Sequence, residues 1–177
     1  MAWSAPMTAV SGSVFTAAQF NTFVRDNLNE TSPAKATTSG AYFTVSGTNE
    51  ITERVPASAS TLVSETTTST SFTDLTTVGP EVTVDTGPFA LVLVHGSLEN
   101  TGAGSSRMAY EVSGASSIAP ADNRGIGVFG TAGTGIVSSG VALHTDLTPG
   151  SNTFTAKYRV ASGTGTFVSR RIVVFPL

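Results

Sequence analysis

Two periodicities divide the chain. Between Phe15 and Leu28 apolar residues recur at helical spacing, and beyond Thr61 they alternate with hydroxyl residues at the two-residue spacing of strands. The helix is announced by a capping box, Thr16 with Gln19, in which each side chain can satisfy the other's backbone amide. Phe15 before the cap and Phe20 after it complete a hydrophobic staple. The spacing predicts a helix over 16–28 with Phe20, Phe23, Val24 and Leu28 on one stripe, ending before Pro33. Isolated helices shorter than about 12–15 residues barely form in water, so this one must dock on something. The preceding segment adds Trp3, Pro6, Met7 and Val10 without enough local chain to bury them. Burial against other copies, or against a larger assembly, is therefore expected.

A hairpin is predicted over 41–55, with its turn at Ser46-Gly47-Thr48-Asn49. Pro56-Ala57-Ser58-Ala59-Ser60 reads as a small-residue linker with little to bury, which places the boundary between an N-terminal region, 1–56, and a β domain, 61–177. In that domain strands are expected at 62–67, 71–77, 81–85, 89–98, 107–112, 125–129, 135–143, 153–160 and 166–174, the spacing of a sandwich or jelly roll. Alternation is cleanest where Phe154, Ala156, Tyr158 and Val160 share a face. In 89–98 both faces are apolar, Leu91 and Leu93 on one and Ala90, Val92 and Val94 on the other, as in a strand covered on both sides or buried between subunits. The expected class is mainly β: an antiparallel, jelly-roll-like sandwich preceded by a short helix and a hairpin.

Composition narrows the function. Charged residues are only 12% of the 177, the net charge is -3, and no basic stripe is present, so the counterion-release term behind nucleic-acid binding has no source. Cysteine is absent, which excludes disulfides, zinc-thiolate sites and cysteine nucleophiles. The first residues lack the basic and apolar regions of a signal peptide, and the longest apolar runs, 89–94 and 172–175, are far below the roughly 20 residues of a membrane span. A protein made in the cytoplasm without membrane insertion is expected.

The chemical motifs are weak. Gly125-Ile126-Gly127-Val128-Phe129-Gly130 has the glycine spacing of a dinucleotide fingerprint but no following helix pattern and no acid at the ribose position, so no cofactor is expected. His95 and His144 lack ligand-like neighbours beyond Asp146, and read as ordinary strand residues and not as metal ligands. No Gly-x-Ser-x-Gly elbow occurs, and the 12 acids stand in no distinctive context, so no enzyme is expected. Arg170 and Arg171 cannot form one clamp without a bulge; one should be exposed and the other at an interface or paired with an acid. Tyr110, Phe129, Phe154, Tyr158 and Phe167 could stack on sugars if exposed, but at strand spacing they read first as core.

The block Trp3-Ser4-Ala5-Pro6 through Phe15-Thr16-Ala17-Ala18-Gln19-Phe20-Asn21-Thr22-Phe23-Val24-Arg25-Asp26-Asn27-Leu28 resembles the opening of minor tail, fibre or head-fibre proteins of tailed phages of actinobacteria. Ser71-Phe72-Thr73-Asp74-Leu75, Leu147-Thr148-Pro149-Gly150-Ser151-Asn152-Thr153-Phe154 and Arg170-Arg171-Ile172-Val173-Val174 are similar to the same group. The resemblance implies a virion-surface component, commonly a homotrimer, attached to tail or capsid proteins by its N-terminus and displaying its β domain outward. Without a long coiled-coil or β-helical shaft, a compact decoration or short spike is favoured. Trp3, Phe15, Phe20, Phe23, Val24 and Leu28 are then the anchoring residues. The alternatives are a module that binds host cell-wall glycan through loops near 101–106 and 125–135, and a hydrolase of that wall.

Overall fold

The structure, a computed structural model, describes residues 3–130 and 132–177. The chain forms two compact units, Met1–Val55 and Pro56–Leu177.

In the first unit, Thr16 caps α1 (Ala17–Phe20), which continues through a π-turn (Asn21–Arg25) into α2 (Asp26–Asn29). A further turn, α3 (Ser32–Lys35), begins with Pro33 in its first turn, where a missing amide costs no hydrogen bond. The hairpin pairs β1 (Tyr42–Gly47) with β2 (Glu50–Arg54) in antiparallel register, and Asn49 takes the positive φ its turn requires.

The second unit is a β-sandwich. Its strands are β3 (Ala57–Thr61), β4 (Glu65–Thr67), β5 (Glu81–Thr86), β6 (Ala90–Asn100), β7 (Ser105–Gly114), β8 (Ile126–Phe129), β9 (Ile136–His144), β10 (Gly150–Val160) and β11 (Gly165–Pro176). One sheet runs β5-β10-β7-β8 and the other β3-β11-β6-β9, with β4 added beside β11. Setting β4 aside, the first strand pairs with the eighth, the second with the seventh, the third with the sixth and the fourth with the fifth, all antiparallel. That nesting is the jelly roll.

Period-two patterning explains the core. On β10, Phe154, Ala156, Tyr158 and Val160 are fully buried, facing Val92, Val94 and Leu98 of β6 and Phe167, Ile172 and Val174 of β11. The Tyr158 and Phe167 rings meet edge-on across the sheets at 4.9 Å. Each large side chain buried here contributes about 1.5–3 kcal/mol relative to leaving it in water. A buried asparagine organises turns at each of two places. Asn152 accepts from the Ser116 amide at 2.7 Å and donates to Thr86 Oγ1 and the Thr148 carbonyl, while Asn100 accepts from the Gly102 amide and donates to Ser106 Oγ and the Ser162 carbonyl.

Three expectations are corrected. Residues 57–61 are not a linker but β3, paired with Arg170–Val174 of β11; Ala57 and Ala59 face the core while Ser58 and Ser60 face outward. The sandwich thus begins at the end of the hairpin, before residue 61. The strand expected at 62–67 starts only at Glu65. The strand expected at 71–77 does not form: Thr73 alone bridges to Tyr158, and the Thr77 amide donates to the Glu65 carboxylate at 2.8 Å instead of joining a ladder.

That carboxylate also serves Arg170. Between Val168 and Arg171 the β11–β6 register slips, with Ser169 at positive φ, and the bulge turns Arg170 into the core while Arg171 stays on the surface. Arg170 Nη2 meets Glu65 Oε2 at 2.6 Å and the Val63 carbonyl at 3.3 Å, and its guanidinium lies 5.2 Å from the centre of the Tyr158 ring. Burial works against the Glu65 charge, but the Thr77 amide and Arg170 hold its carboxyl below the usual glutamate range. Truncating one partner of such a pair strands the other. Arg170→Ala should cost about 3 kcal/mol or more in urea unfolding, whereas Arg170→Met combined with Glu65→Leu should recover most of that loss.

Candidate assembly site

The anchoring residues predicted from sequence lie in the first unit. The capping box forms as drawn: the Gln19 amide donates to Thr16 Oγ1 at 3.2 Å and the Thr16 amide to Gln19 Oε1 at 2.9 Å. The staple forms too, with the Phe15 and Phe20 rings edge-to-face at 6.2 Å. Both rings remain exposed, as does Trp3.

Past Phe20 the stripe is broken. In the π-turn the Asp26 amide reaches back to the Asn21 carbonyl, in effect inserting one residue and rotating the rest of the helix by about 100° round the axis. Phe23 and Val24 are consequently half-buried, Leu28 is exposed, and Asn27 takes the inner position at 4% exposure. Asn27 accepts from the Ser4 amide at 2.8 Å and donates to the Ser4 carbonyl at 3.1 Å, so it grips the extended N-terminal segment as a neighbouring strand would. Nothing in the periodicity singled it out. Its only sequence signal is a polar residue beside a stripe that a π-turn displaces.

Further polar clasps hold the unit together. The Trp3 amide donates to the Asn49 carbonyl at 3.1 Å, joining the segment to the hairpin turn. Lys35 Nζ donates to the Ile51 carbonyl at 2.9 Å and pairs with Glu30. Hydrogen bonds from the Thr38 amide, the Thr37 hydroxyl and the Thr37 amide pull the Glu53 carboxyl down to about 2. Among residues 3–55 Asn27 is the one buried side chain, and no apolar side chain is fully covered. Met7, Val10, Val14 and Phe15 line an open pocket of about 340 Å³, with Thr8, Ser13 and Gln19 also in its wall. It holds no titratable group, so it offers apolar contact and neutral hydrogen bonds.

The remaining candidates lie in the sandwich. His144 is buried, its Nε2 2.9 Å from the Tyr110 hydroxyl, while His95 lies on the outer face with Nδ1 2.9 Å from Ser139 Oγ. Among the described residues no group of three His, Cys, Asp or Glu gathers that could hold a metal ion. Tyr110, Phe154, Tyr158 and Phe167 are core, leaving Phe129 exposed, with Arg107 4.5 Å from its ring centre. The fingerprint-like glycines belong to β8 and its flanks, and Gly125 is there because a Cβ would stand 2.1 Å from the Met108 carbonyl oxygen. Three acids of the outer four-stranded face pair with cations, while Glu81 accepts from the Thr155 hydroxyl. Asp122 binds Arg159 and Arg107, and the Arg159 hydrogen bond holds its carboxyl below the usual range against the opposing effect of burial. Burial opposes the Lys157 charge, yet Asp74 and Glu111 keep its pKa above the ordinary lysine value. Among the described residues no helix is long and apolar enough to cross a membrane.

Asn27→Ala should release the N-terminal segment, seen as faster proteolytic cleavage before Thr16 with the unfolding transition of the sandwich unmoved. Burial, together with the nearby Arg124 charge and against Asp146, lowers the His144 pKa from 6.5. The unfolded chain therefore binds this proton first as pH falls. Stability should decline below pH 6.5 by at most about 1.4 kcal/mol per pH unit from this group, and His144→Gln should remove that share of the slope in melting curves. No protein-family model matches the chain, and no curated protein matches it.

Proposed function

We propose that the protein is a non-enzymatic structural component of a phage-like particle, attached through its first unit and displaying its jelly roll outward. The observation that carries this reading is the first unit's lack of any buried apolar side chain among residues 3–55. A segment that keeps Trp3, Phe15, Phe20 and Leu28 exposed has not buried enough to offset its own ordering, and a larger assembly supplies what is missing. The resemblance of residues 3–28 to the opening of phage tail and head-fibre proteins names the kind of assembly. The jelly roll is also at home in capsid and lectin domains, which makes it compatible with this reading without arguing for it.

Attachment uses Phe15, Phe20, Phe23, Val24 and the pocket beside Phe15, and Trp3 lies next to the Ser4 clasp that ties the same segment to α2. The partner is another virion protein of tail or capsid, or the same segment of further copies in a homotrimer. Deleting residues 1–33 should leave a sandwich whose thermal unfolding transition is unchanged but which is missing from purified particles. Normal incorporation of the truncated chain would overturn the proposal.

A further inference from the structure

The sandwich has two outer faces of opposite character. On the four-stranded sheet the outward side chains are mostly ions and hydroxyls, with Phe129 at the β8 edge under Arg107: Thr83 and Thr153 bond each other at 2.8 Å, and Lys157, Arg107 and Arg159 are paired with Asp74, Glu111 and Asp122. The outer face of the other sheet is different. Because Ala90, Val92 and Val94 point into the core, Phe89, Leu91 and Leu93 point out. Register sets Phe175, Leu91 and Leu143 in one row and Val173, Leu93 and Val141 in the next. The Leu177 amide donates to the Phe89 carbonyl at 2.9 Å and begins a third row.

The side chains of these eight residues form one contiguous patch without a charge. Val141 is 66% exposed, Leu143 58%, Phe89 44% and Leu177 37%, and the other four are half-covered by their neighbours. Together they leave on the order of several hundred Å² of largely apolar surface, in the range of about 300–600 Å² that the largest patch on a typical monomer reaches and that is often functional. The next row is polar, with His95 bonded to Ser139 and Arg171 beside them, a rim on one flank of an apolar centre.

We infer that copies of this chain associate through the outer face of the β3-β11-β6-β9 sheet, with Leu91, Leu93, Val141, Leu143, Val173 and Phe175 at the centre of contact. A second copy is the fitting occupant for two reasons. The patch carries no charge to select a charged partner, and a sheet face of aliphatic rows packs on its own likeness with side chains interdigitating across about 10 Å. The adjoining edge of β9 is also the unpaired edge of its sheet, so the contact can extend along it. This inference stands apart from the anchoring role, because it concerns the sandwich and needs no particle.

The test is sedimentation of the purified full-length chain, against a single-chain mass of 18.0 kDa. The wild type should sediment as a closed multiple of that mass. Val141→Glu with Leu143→Glu, both at exposed positions, should sediment at a lower mass than the wild type, with the association constant of this contact lowered about a hundredfold or more and unchanged circular dichroism. Val78→Glu, exposed in the segment that runs along β10 of the other sheet, should assemble as the wild type does. As a second readout independent of any introduced charge, Val141→Cys in this cysteine-free chain should be alkylated ever more slowly as protein concentration rises. A monomeric wild type, a sedimenting mass that the double substitution leaves unchanged, or a thiol rate independent of concentration would each overturn the inference. Particle incorporation is scored separately, so a failed association leaves the anchor standing and a failed anchor leaves the association standing.

Discussion

Inward-facing residues on a strand lie an even number of steps apart, yet Phe167 and Ile172 of β11 both face the core. One inserted residue at Ser169 reconciles them, and much of the sandwich's layout depends on it. The insertion turns Arg170 inward, where a cation cannot stay unpaired, and Glu65 is brought to it. Meeting Arg170 divides the edge of β11 between β3 on one side of the bulge and β4 on the other. The same carboxylate takes the Thr77 amide, so the chain from Ser69 to Pro80 runs along the edge of β10 through isolated hydrogen bonds and the one Thr73–Tyr158 bridge, not as a ladder. One parity change in β11 thus sets the shape of a loop far from it in sequence.

The two units are held by different forces. The sandwich buries rows of apolar side chains from both sheets, a cooperative gain that grows with area. The first unit relies on Asn27 with Ser4, Lys35 with Ile51, and Glu53 with Thr37 and Thr38. Hydrogen bonds of this kind yield about 0.5–1.5 kcal/mol net each, little against the roughly 1–2 kcal/mol that each ordered backbone residue costs. These clasps define a shape, and an apolar partner supplies the energy to keep it.

Much of this architecture was legible in the sequence. Alternation located β5 through β11, because large apolar residues at every second position leave little choice of face. The capping box and staple located the start of the helix, because both rest on local geometry. The hidden features were set elsewhere in the chain. Residues 57–61 look like a linker since Ala and Ser carry no strand signal, yet small side chains suit an edge strand lying over an already crowded core. The π-turn that exposes Leu28 and buries Asn27 leaves the composition of the segment unchanged and shifts only its phase. The bulge was readable in principle from the parity of Phe167 and Ile172, but the acid answering Arg170 lies 105 residues away. Asn100 and Asn152 are invisible for the same reason: their value lies in turns that assemble around them.

Low charge connects these features. With charged residues at 12% of the chain and most of the sandwich's ion pairs on the outer four-stranded face, little charge remains to cover the opposite face. A net charge of -3 also sets up little repulsion between copies, so close packing is not opposed at long range. For a protein meant to stay dispersed, that distribution is a liability, since apolar surfaces flanked by few charges invite aggregation. For a protein whose apolar surfaces are each covered in a finished assembly, the same distribution is what lets both contacts form without desolvating charge.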